Sequence, residues 1–254
     1  METQNGLLGE RKLAATRVGQ GDQTVVLVHG WTCRRSHWQS LLSCPVEGFS
    51  LLAVDLPGHG DSRAIPLDAW TVAGQAQALV EALEGVDNPV LAGHSMGGAV
   101  VLEAARRMAV KAVLLVDTFV IPYGDLDEDS ARQVEQPFHD DFPAAIDNLV
   151  QNNAGPSMAE ADKAALAEDM AAAPVEAMLP LWGDLLRWSP DAAFAELSCP
   201  IHAINGDLIG EVARARCAGR VSEWHQPGTW HFPQMEQPEV FRALFCRVME
   251  ALRS

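Results

Sequence analysis

The stretch Gly93-His94-Ser95-Met96-Gly97-Gly98 constrains the fold of this chain more than any other. Apolar residues at 90–92 precede it and an Ala- and Val-rich run at 99–105 follows it, so the pattern predicts a strand, a tight turn and a helix. We expect the serine in a strained backbone conformation, flanked by glycines because neighbouring chain segments pass where Cβ atoms would be. Such a turn presents Oγ of Ser95 to solvent, and the first N–H groups of the helix stabilise negative charge at the same point.

Apolar runs elsewhere in the chain predict the remaining strands. Continuous β-branched and aliphatic runs are typical of strands buried on both faces, and they occur at 24–28, 49–54, 111–117 and 200–206. A shorter strand is expected at 221–225, one or two edge strands within 7–18, and helices at 36–42, 71–83 and 238–252. This alternation implies an α/β fold with a mostly parallel sheet of about eight strands and helices on both faces.

Polar side chains fall where several of these strands end. They are His29, Asp55, Ser95 and Asp117. Because ligands of parallel sheets bind beyond the carboxyl ends of the strands, the functional site is expected among them.

The segment 120–198 differs from the rest of the chain because it contains no strand-like run. Seven prolines interrupt its helical spacing, and residues 125–169 hold twelve acidic side chains against two basic ones. We predict a helical lid inserted after the sixth strand, between the core segments 1–119 and 199–254. Trp182 and Trp188 are its candidates for substrate contact, with ordinary helix packing as the alternative for both.

A serine hydroxyl becomes a good nucleophile when a base takes its proton, and a carboxylate must hold that base in one tautomer. Among the eight histidines, His231 is the best candidate, because it follows the last strand in a loop that leads to the C-terminal helix. His29, His59 and His94 lie inside turn motifs, where hydrogen bonds to the loop are the expected role.

Four motifs together resemble the α/β-hydrolase superfamily and stand in that family's order. They are H-G-W at 29–31, D-L-P-G-H-G-D-S at 55–62, G-H-S-M-G-G at 93–98 and H-F-P-Q-M-E-Q-P-E at 231–239. The resemblance covers nearly the whole chain and is specific for a fold, not for a substrate. It implies Ser95 as the nucleophile and His231 as the general base. It also implies an oxyanion hole made by the backbone N–H groups of Trp31 and Met96.

The acidic partner of the histidine departs from the commonest pattern of that superfamily. Many members carry it in G-x-x-D after the penultimate strand, where this chain has Ile209. Asp117, which ends the strand after the Ser95 strand, is the preferred candidate, since some members take their acid from that place. Asp207 stays open as the alternative.

Composition limits the partners of this chain. Its 18 basic and 34 acidic residues give a formal charge of −16, which repels nucleic acid and anionic membranes. The five scattered cysteines, without C-x-x-C spacing, fit reduced thiols better than disulfides or a zinc site. No apolar run is long enough to span a membrane and the polar start lacks a signal peptide, so a cytoplasmic location is expected. No cofactor or metal is expected, and a homodimer stays open.

These observations favour a cofactor-free serine hydrolase that cleaves a carboxylic ester of a small to medium uncharged substrate through an acyl-enzyme. Hydrolysis of lactones, amides or carbon–carbon bonds, and perhydrolysis, use the same groups and stay open. A cofactor-less dioxygenase and a non-catalytic ligand receptor are alternatives from other classes. Epoxide hydrolases and haloalkane dehalogenases need aspartate where Ser95 stands and are not expected.

Overall fold

Eight strands form one mostly parallel sheet in the computed structural model, which describes residues 3–44 and 46–253. The strands are β1 (Gln4–Leu8), β2 (Leu13–Val18), β3 (Gln23–Val28), β4 (Phe49–Val54), β5 (Val90–His94), β6 (Ala112–Val116), β7 (Ile201–Asn205) and β8 (Val221–His225). Across the sheet they follow the order β1-β2-β4-β3-β5-β6-β7-β8. The pairs β1·β2 and β2·β4 are antiparallel, and the other pairs are parallel, which confirms the predicted sheet.

Eleven α-helices lie in the part of the chain that the structure describes. They are α1 (Gln39–Leu42), α2 (Val72–Ala82), α3 (Met96–Ala105), α4 (Glu128–Asp140), α5 (Phe142–Asn153), α6 (Glu160–Ala171), α7 (Val175–Arg187), α8 (Asp191–Glu196), α9 (Glu211–Cys217), α10 (Pro233–Glu236) and α11 (Pro238–Ala251). Five of them, α4 to α8, form the connection between β6 and β7, here called the helical insertion.

The central strand β3 shows how the sheet divides the core. Val26 and Val28 point into a cluster that contains side chains of α2, α3 and the helical insertion. Val25 and Leu27, which alternate with them, point to the opposite face, against α1 and α11. Burial on both faces is the reason that the strands have continuous apolar runs in the sequence.

Differences from the predicted elements are confined to short helices. The predicted helix at 36–42 begins as a 3-10 turn, Arg35–Trp38, and only its last four residues are α-helical. Helices α9 and α10, of seven and four residues, were not predicted because so few residues show no period. Helix α2 is capped by Thr71, whose Oγ1 accepts the N–H of Gly74 at 2.9 Å. Within the described ranges, no helix is both long and apolar enough to cross a membrane.

Candidate active site

Ser95 connects β5 to α3 in a backbone conformation that few residues adopt, with φ of 52° and ψ of −122°. Close packing explains the flanking glycines. A Cβ on Gly93 would lie 2.2 Å from the carbonyl oxygen of Gly97, and a Cβ on Gly97 would lie 2.5 Å from that of His29. The turn therefore holds the hydroxyl of Ser95 at the start of α3, where the first N–H groups of the helix have no partner within the helix.

Ser95, His231 and Asp117 form one hydrogen-bonded chain. Nε2 of His231 lies 3.0 Å from Oγ of Ser95, and Nδ1 lies 2.7 Å from Oδ2 of Asp117. Because an ionised carboxylate only accepts hydrogen bonds, Nδ1–H donates to Asp117, and Nε2 of the neutral ring is left to accept the serine proton. Asp117 is fully buried and His231 is 7% exposed, so solvent does not compete for these bonds.

Asp117 directly follows β6 in the left-handed region, with φ of 46°. Its second carboxylate oxygen, Oδ1, accepts the N–H of Gly206 at 2.9 Å, and its own N–H donates to the carbonyl oxygen of Ile204 at 3.0 Å. Both bonds tie the aspartate to the end of the neighbouring strand β7 and fix the direction of its carboxylate. The structure thus brings Asp117 to the histidine.

Asp207, the alternative candidate, binds elsewhere. One of its carboxylate oxygens lies 2.8 Å from Nε2 of His225, and the other accepts the N–H of Gly228 at 2.9 Å. Its side chain is 41% exposed. Asp207 therefore braces the loop that precedes His231.

Backbone contacts hold the loop that carries His231. The N–H of His231 donates to the carbonyl oxygen of Asn153, at the end of α5, at 2.9 Å. The carboxylate of Glu236 accepts the N–H groups of the residues on either side of His231, both at 2.9 Å. Nε2–H of His94 donates to the carbonyl oxygen of His231 at 2.7 Å, and burial lowers the pKa of His94 well below 6.5, so its ring is neutral near pH 7.

The backbone N–H groups of Trp31 and Met96, predicted to form the oxyanion hole, lie in the turn after β3 and at the first position of α3. Among the described residues, neither donates to a backbone acceptor. The ring of His29 fixes the turn: its Nε2 accepts the N–H of Leu56 at 3.0 Å, so Nδ1 carries the proton and donates to the carbonyl oxygen of Gly30 at 2.8 Å. Burial lowers the pKa of His29 well below 6.5, which keeps this tautomer uncharged.

A cavity of about 330 Å³ opens at Ser95. Its volume is that of a small-molecule site, and the described residues around it include no Asp, Glu, Lys or Arg. In the described ranges no three His, Cys, Asp or Glu side chains are arranged to bind a metal ion. The helical insertion contributes Gln133, Val134, Pro137 and Phe138 from α4, Ala145, Asn148, Leu149 and Asn153 from α5, Met170 from α6 and Trp182 from α7.

The two tryptophans predicted to contact substrate lie in different places. Trp182 lines the cavity and stacks on Trp31, with ring centroids 4.5 Å apart. Trp188 is not among the cavity residues: its Nε1–H donates to Glu103 at 3.1 Å, and its ring stacks against Phe119. The reason is that α7 ends at Arg187, so Trp188 leaves the helical register that the sequence spacing suggested.

Sequence reasoning gave no place in the cavity to Cys33, Tyr123, Asn148 and Asn153, although all four line it. Tyr123, the only tyrosine of the chain, is 1% exposed. No motif marks these residues. For Cys33 and Tyr123 the available signal was their position, a few residues beyond the ends of β3 and β6.

Comparisons with known proteins place this geometry in a family. Residues 25–244 match the model described as the alpha/beta hydrolase family. The pimeloyl-[acyl-carrier protein] methyl ester esterase of Nitrosospira multiformis is 33% identical over 118 residues, 45% of this chain and 44% of that protein. The protein of the same name from Yersinia enterocolitica is 26% identical over 243 residues, 89% of this chain and 93% of that protein.

Solved structures give the same assignment of fold. A thermophilic esterase from Thermogutta terrifontis aligns over 100% of both chains with a TM-score of 0.81, at 21% sequence identity. The chain belongs to the alpha/beta hydrolase family. Within that family it is a hydrolase of the esterase type.

Proposed function

We propose that this protein is a serine esterase that cleaves a carboxylic ester of a small to medium uncharged substrate through an acyl-enzyme. The hydrogen-bonded chain of Ser95, His231 and Asp117 is the observation that carries the proposal. Relatives named as methyl ester esterases support an ester as the substrate class. The absence of charged side chains among the described cavity residues supports an uncharged substrate, because a charge buried there would lack a partner.

In the first half of the reaction, Oγ of Ser95 attacks the ester carbonyl carbon while Nε2 of His231 takes the hydroxyl proton. The carbonyl oxygen becomes an oxyanion and accepts hydrogen bonds from the N–H groups of Trp31 and Met96. Asp117 stabilises the imidazolium that forms. The tetrahedral intermediate then expels the alcohol, which receives the proton from His231, and the acyl group stays on Ser95.

In the second half, a water molecule attacks the acyl carbon and gives a proton to Nε2 of His231. Collapse of the second tetrahedral intermediate breaks the bond to Oγ, and His231 returns the proton to Ser95 as the carboxylic acid leaves. We assign the segment 120–198 the role of a lid over both steps. Its helices α4 to α7 supply most of the cavity wall, and so they would select the acyl group.

Hydrolysis of a chromogenic short-chain ester by wild type and by Ser95→Ala tests the proposal. Wild type is expected to show a burst, and Ser95→Ala a rate lower by about 10⁴–10⁶-fold, because the covalent path is lost. A phosphonate should label Ser95 and no other serine. Ser222→Ala, on the exposed side of β8, is the matched control and should keep full activity. Equal turnover by Ser95→Ala, or no ester turnover by wild type, would contradict the proposal and favour a receptor or another chemistry.

A further inference from the structure

Tyr123 lines the cavity that opens at Ser95 and has no part in the proposed acyl transfer. Its side chain is buried, and no protein group in the described ranges forms a hydrogen bond with its hydroxyl. Elsewhere in the chain, unpartnered polar atoms such as Nε1 of Trp182 are closed to solvent, but the hydroxyl oxygen of Tyr123 is not one of them. Because so little of the residue is exposed, the cavity is the space that this oxygen reaches.

Neighbouring rings and the backbone fix the position of Tyr123. The rings of Phe119 and Trp188 pack edge-on against it, with centroids 6.4 and 6.0 Å away. The next carbonyl oxygen along the chain, that of Gly124, accepts a hydrogen bond from the guanidinium of Arg216 at 3.1 Å. A hydroxyl held in this way is preorganised, so it can select ligands by the position of their polar atoms.

Other polar side chains of the cavity have partners or access to water. The indole N–H of Trp31 and the side-chain amide of Asn153 each donate to a main-chain carbonyl oxygen, at 3.0 and 2.8 Å. Gln133 and Asn148 lie at exposed positions of α4 and α5, where water can bind their amides. Native proteins leave few buried hydroxyl groups without a partner, because such a group costs free energy. The free hydroxyl of Tyr123 therefore points to a ligand.

The chemistry of the cavity limits what that ligand group can be. Burial raises the pKa of Tyr123, so the hydroxyl stays protonated near pH 7 and can donate one hydrogen bond. The described cavity residues include no Asp, Glu, Lys or Arg, so a charged ligand group would lack a counter-charge. The complementary group is an uncharged oxygen acceptor, such as that of an ether, a ketone or an alcohol.

We propose that Tyr123 is a specificity-determining residue, which donates a hydrogen bond to a second uncharged oxygen on the acyl chain of the substrate. This inference rests on the proposed function and names its substrate class: esters with an oxygen-substituted acyl chain, in preference to plain alkyl esters. A plain alkyl chain that fills the cavity displaces water and leaves the hydroxyl unpaired. The cost of that unpaired group falls on the plain ester and lowers its kcat/KM.

Pairs of p-nitrophenyl esters, in which an ether oxygen replaces one CH₂ group, test this specificity in wild type and Tyr123→Phe. The pairs are methoxyacetate with butanoate, 3-methoxypropanoate with pentanoate, and 4-methoxybutanoate with hexanoate. For at least one pair, the ratio of kcat/KM for the ether to that for the alkyl ester should fall about tenfold in Tyr123→Phe. Comparing this ratio between proteins cancels the effect of the ether oxygen on the reactivity of the ester.

Ser222→Ala, which removes a hydroxyl from the exposed side of β8, is the matched control and should keep the wild-type ratios. Turnover of the plain alkyl esters should be nearly the same in Tyr123→Phe as in wild type. Ratios that are unchanged in Tyr123→Phe would overturn the proposal. An equal loss on both esters of every pair would also overturn it, because the hydroxyl would then serve the bond-breaking step.

A binding measurement separates this proposal from the esterase activity itself. Tyr123 is the only tyrosine, so Ser95→Ala that contains 3-fluorotyrosine gives one ¹⁹F resonance. The ethyl esters of the same acids are the ligands, and at least one ether ester should shift this resonance more than its alkyl counterpart does at saturation. The readout needs no turnover, and it decides if Tyr123→Phe fails to fold, as judged by circular dichroism. Equal shifts from the two esters of every pair would contradict a hydrogen bond to the ether oxygen.

Discussion

Asp117 uses its two carboxylate oxygens on different partners, His231 and the N–H of Gly206. In Asp117→Asn an amide replaces the carboxylate, so the ring loses both its tautomer and the charge that stabilises its protonated form. We expect kcat on a short-chain ester to fall by about 10⁴-fold while the protein stays folded by circular dichroism. Asp207→Asn is the control, and its kcat should stay within a few-fold of wild type. Its unfolding free energy in urea titrations should fall by about 1–2 kcal/mol, because the hydrogen bonds of Asp207 to His225 and Gly228 are weakened. The reverse pattern would move the acid to Asp207.

For single residues, the sequence predicted that Ser95, His231 and the residues around them belong to the site, because each lies in a motif with a stereochemical requirement. It left Asp117 and Asp207 open, because both follow neighbouring parallel strands and chain position does not say where a carboxylate points. The left-handed φ of Asp117 and its bond to Gly206 decide that direction. The place of Cys33 at the cavity was not predicted, because no motif contains this residue and only its position a few residues beyond β3 points there.

Helix α7 contains Trp182, which lines the cavity, and ends just before Trp188, which does not line it. Trp182→Ala enlarges the acyl pocket, so the preferred ester should become longer, with KM for the shortest ester raised several-fold and kcat nearly kept. Trp188→Phe removes the indole bond to the buried Glu103, which should cost about 1–3 kcal/mol of unfolding free energy and leave chain-length preference unchanged. Steady-state kinetics over a series of acyl lengths, with thermal melts, distinguishes the two. The same shift in preference in both variants would mean that Trp188 also shapes the pocket.

The approach of α3 to the end of β5 depends on Gly93. A methyl group there would meet the backbone of Gly97 at 2.2 Å, and backbone cannot move aside as a flexible side chain can. We expect Gly93→Ala to lower the unfolding free energy by at least about 3 kcal/mol in urea titrations. Gly6→Ala on β1 meets nothing within 4 Å and should change it by less than about 0.5 kcal/mol. Similar stabilities of the two variants would contradict the packing described here.

Among the elements, the strands and α3 could be predicted because their apolar runs are continuous, as burial on both faces requires. The path of α4 to α8 could not, because tertiary contacts determine where these helices turn. Trp31, for example, packs edge-on against Phe138 of α4, with ring centroids 5.1 Å apart, and stacks on Trp182 of α7. No local sequence pattern predicts these contacts.

For the whole molecule, three buried histidines link stability to pH. Burial lowers the pKa of His59 to about 4, and it lowers those of His29 and His94 well below 6.5. In the unfolded chain each titrates near 6.5, so below that pH the unfolded state binds more protons and the unfolding free energy falls. His37 opposes this trend, because its raised pKa contributes stability that is complete below about 6.5 and is lost as the pH rises through about 9.

The unfolding free energy, measured by urea titration at each pH, is expected to fall between pH 7 and pH 5, because three buried rings favour the decrease and His37 alone opposes it. A variant that lacks one of these three buried histidine rings and still folds should show a weaker dependence of the unfolding free energy on pH. His59→Gln is that variant, and its slope below pH 6 should be smaller by up to about 1.4 kcal/mol per pH unit. His139→Gln, at an exposed position on α4, is the control and should reproduce the wild-type slope. A stability that is level from pH 7 to 5 would contradict the neutral state of the buried rings.

Two main-chain oxygens of the helical insertion accept hydrogen bonds from residues of the proposed site. The carbonyl oxygen of Met178 accepts the indole N–H of Trp31 at 3.0 Å, and that of Asn153 accepts the N–H of His231. Every amino acid carries such an oxygen, so substitutions at positions 153 and 178 can accumulate in a lineage without breaking either bond. Gaining or losing one residue within α5 or α7 is different, because it turns the following carbonyls by about 100° around the helix. Descendants of this enzyme can therefore replace residues 153 and 178 without losing these two hydrogen bonds, whereas the lengths of α5 and α7 are expected to stay constant.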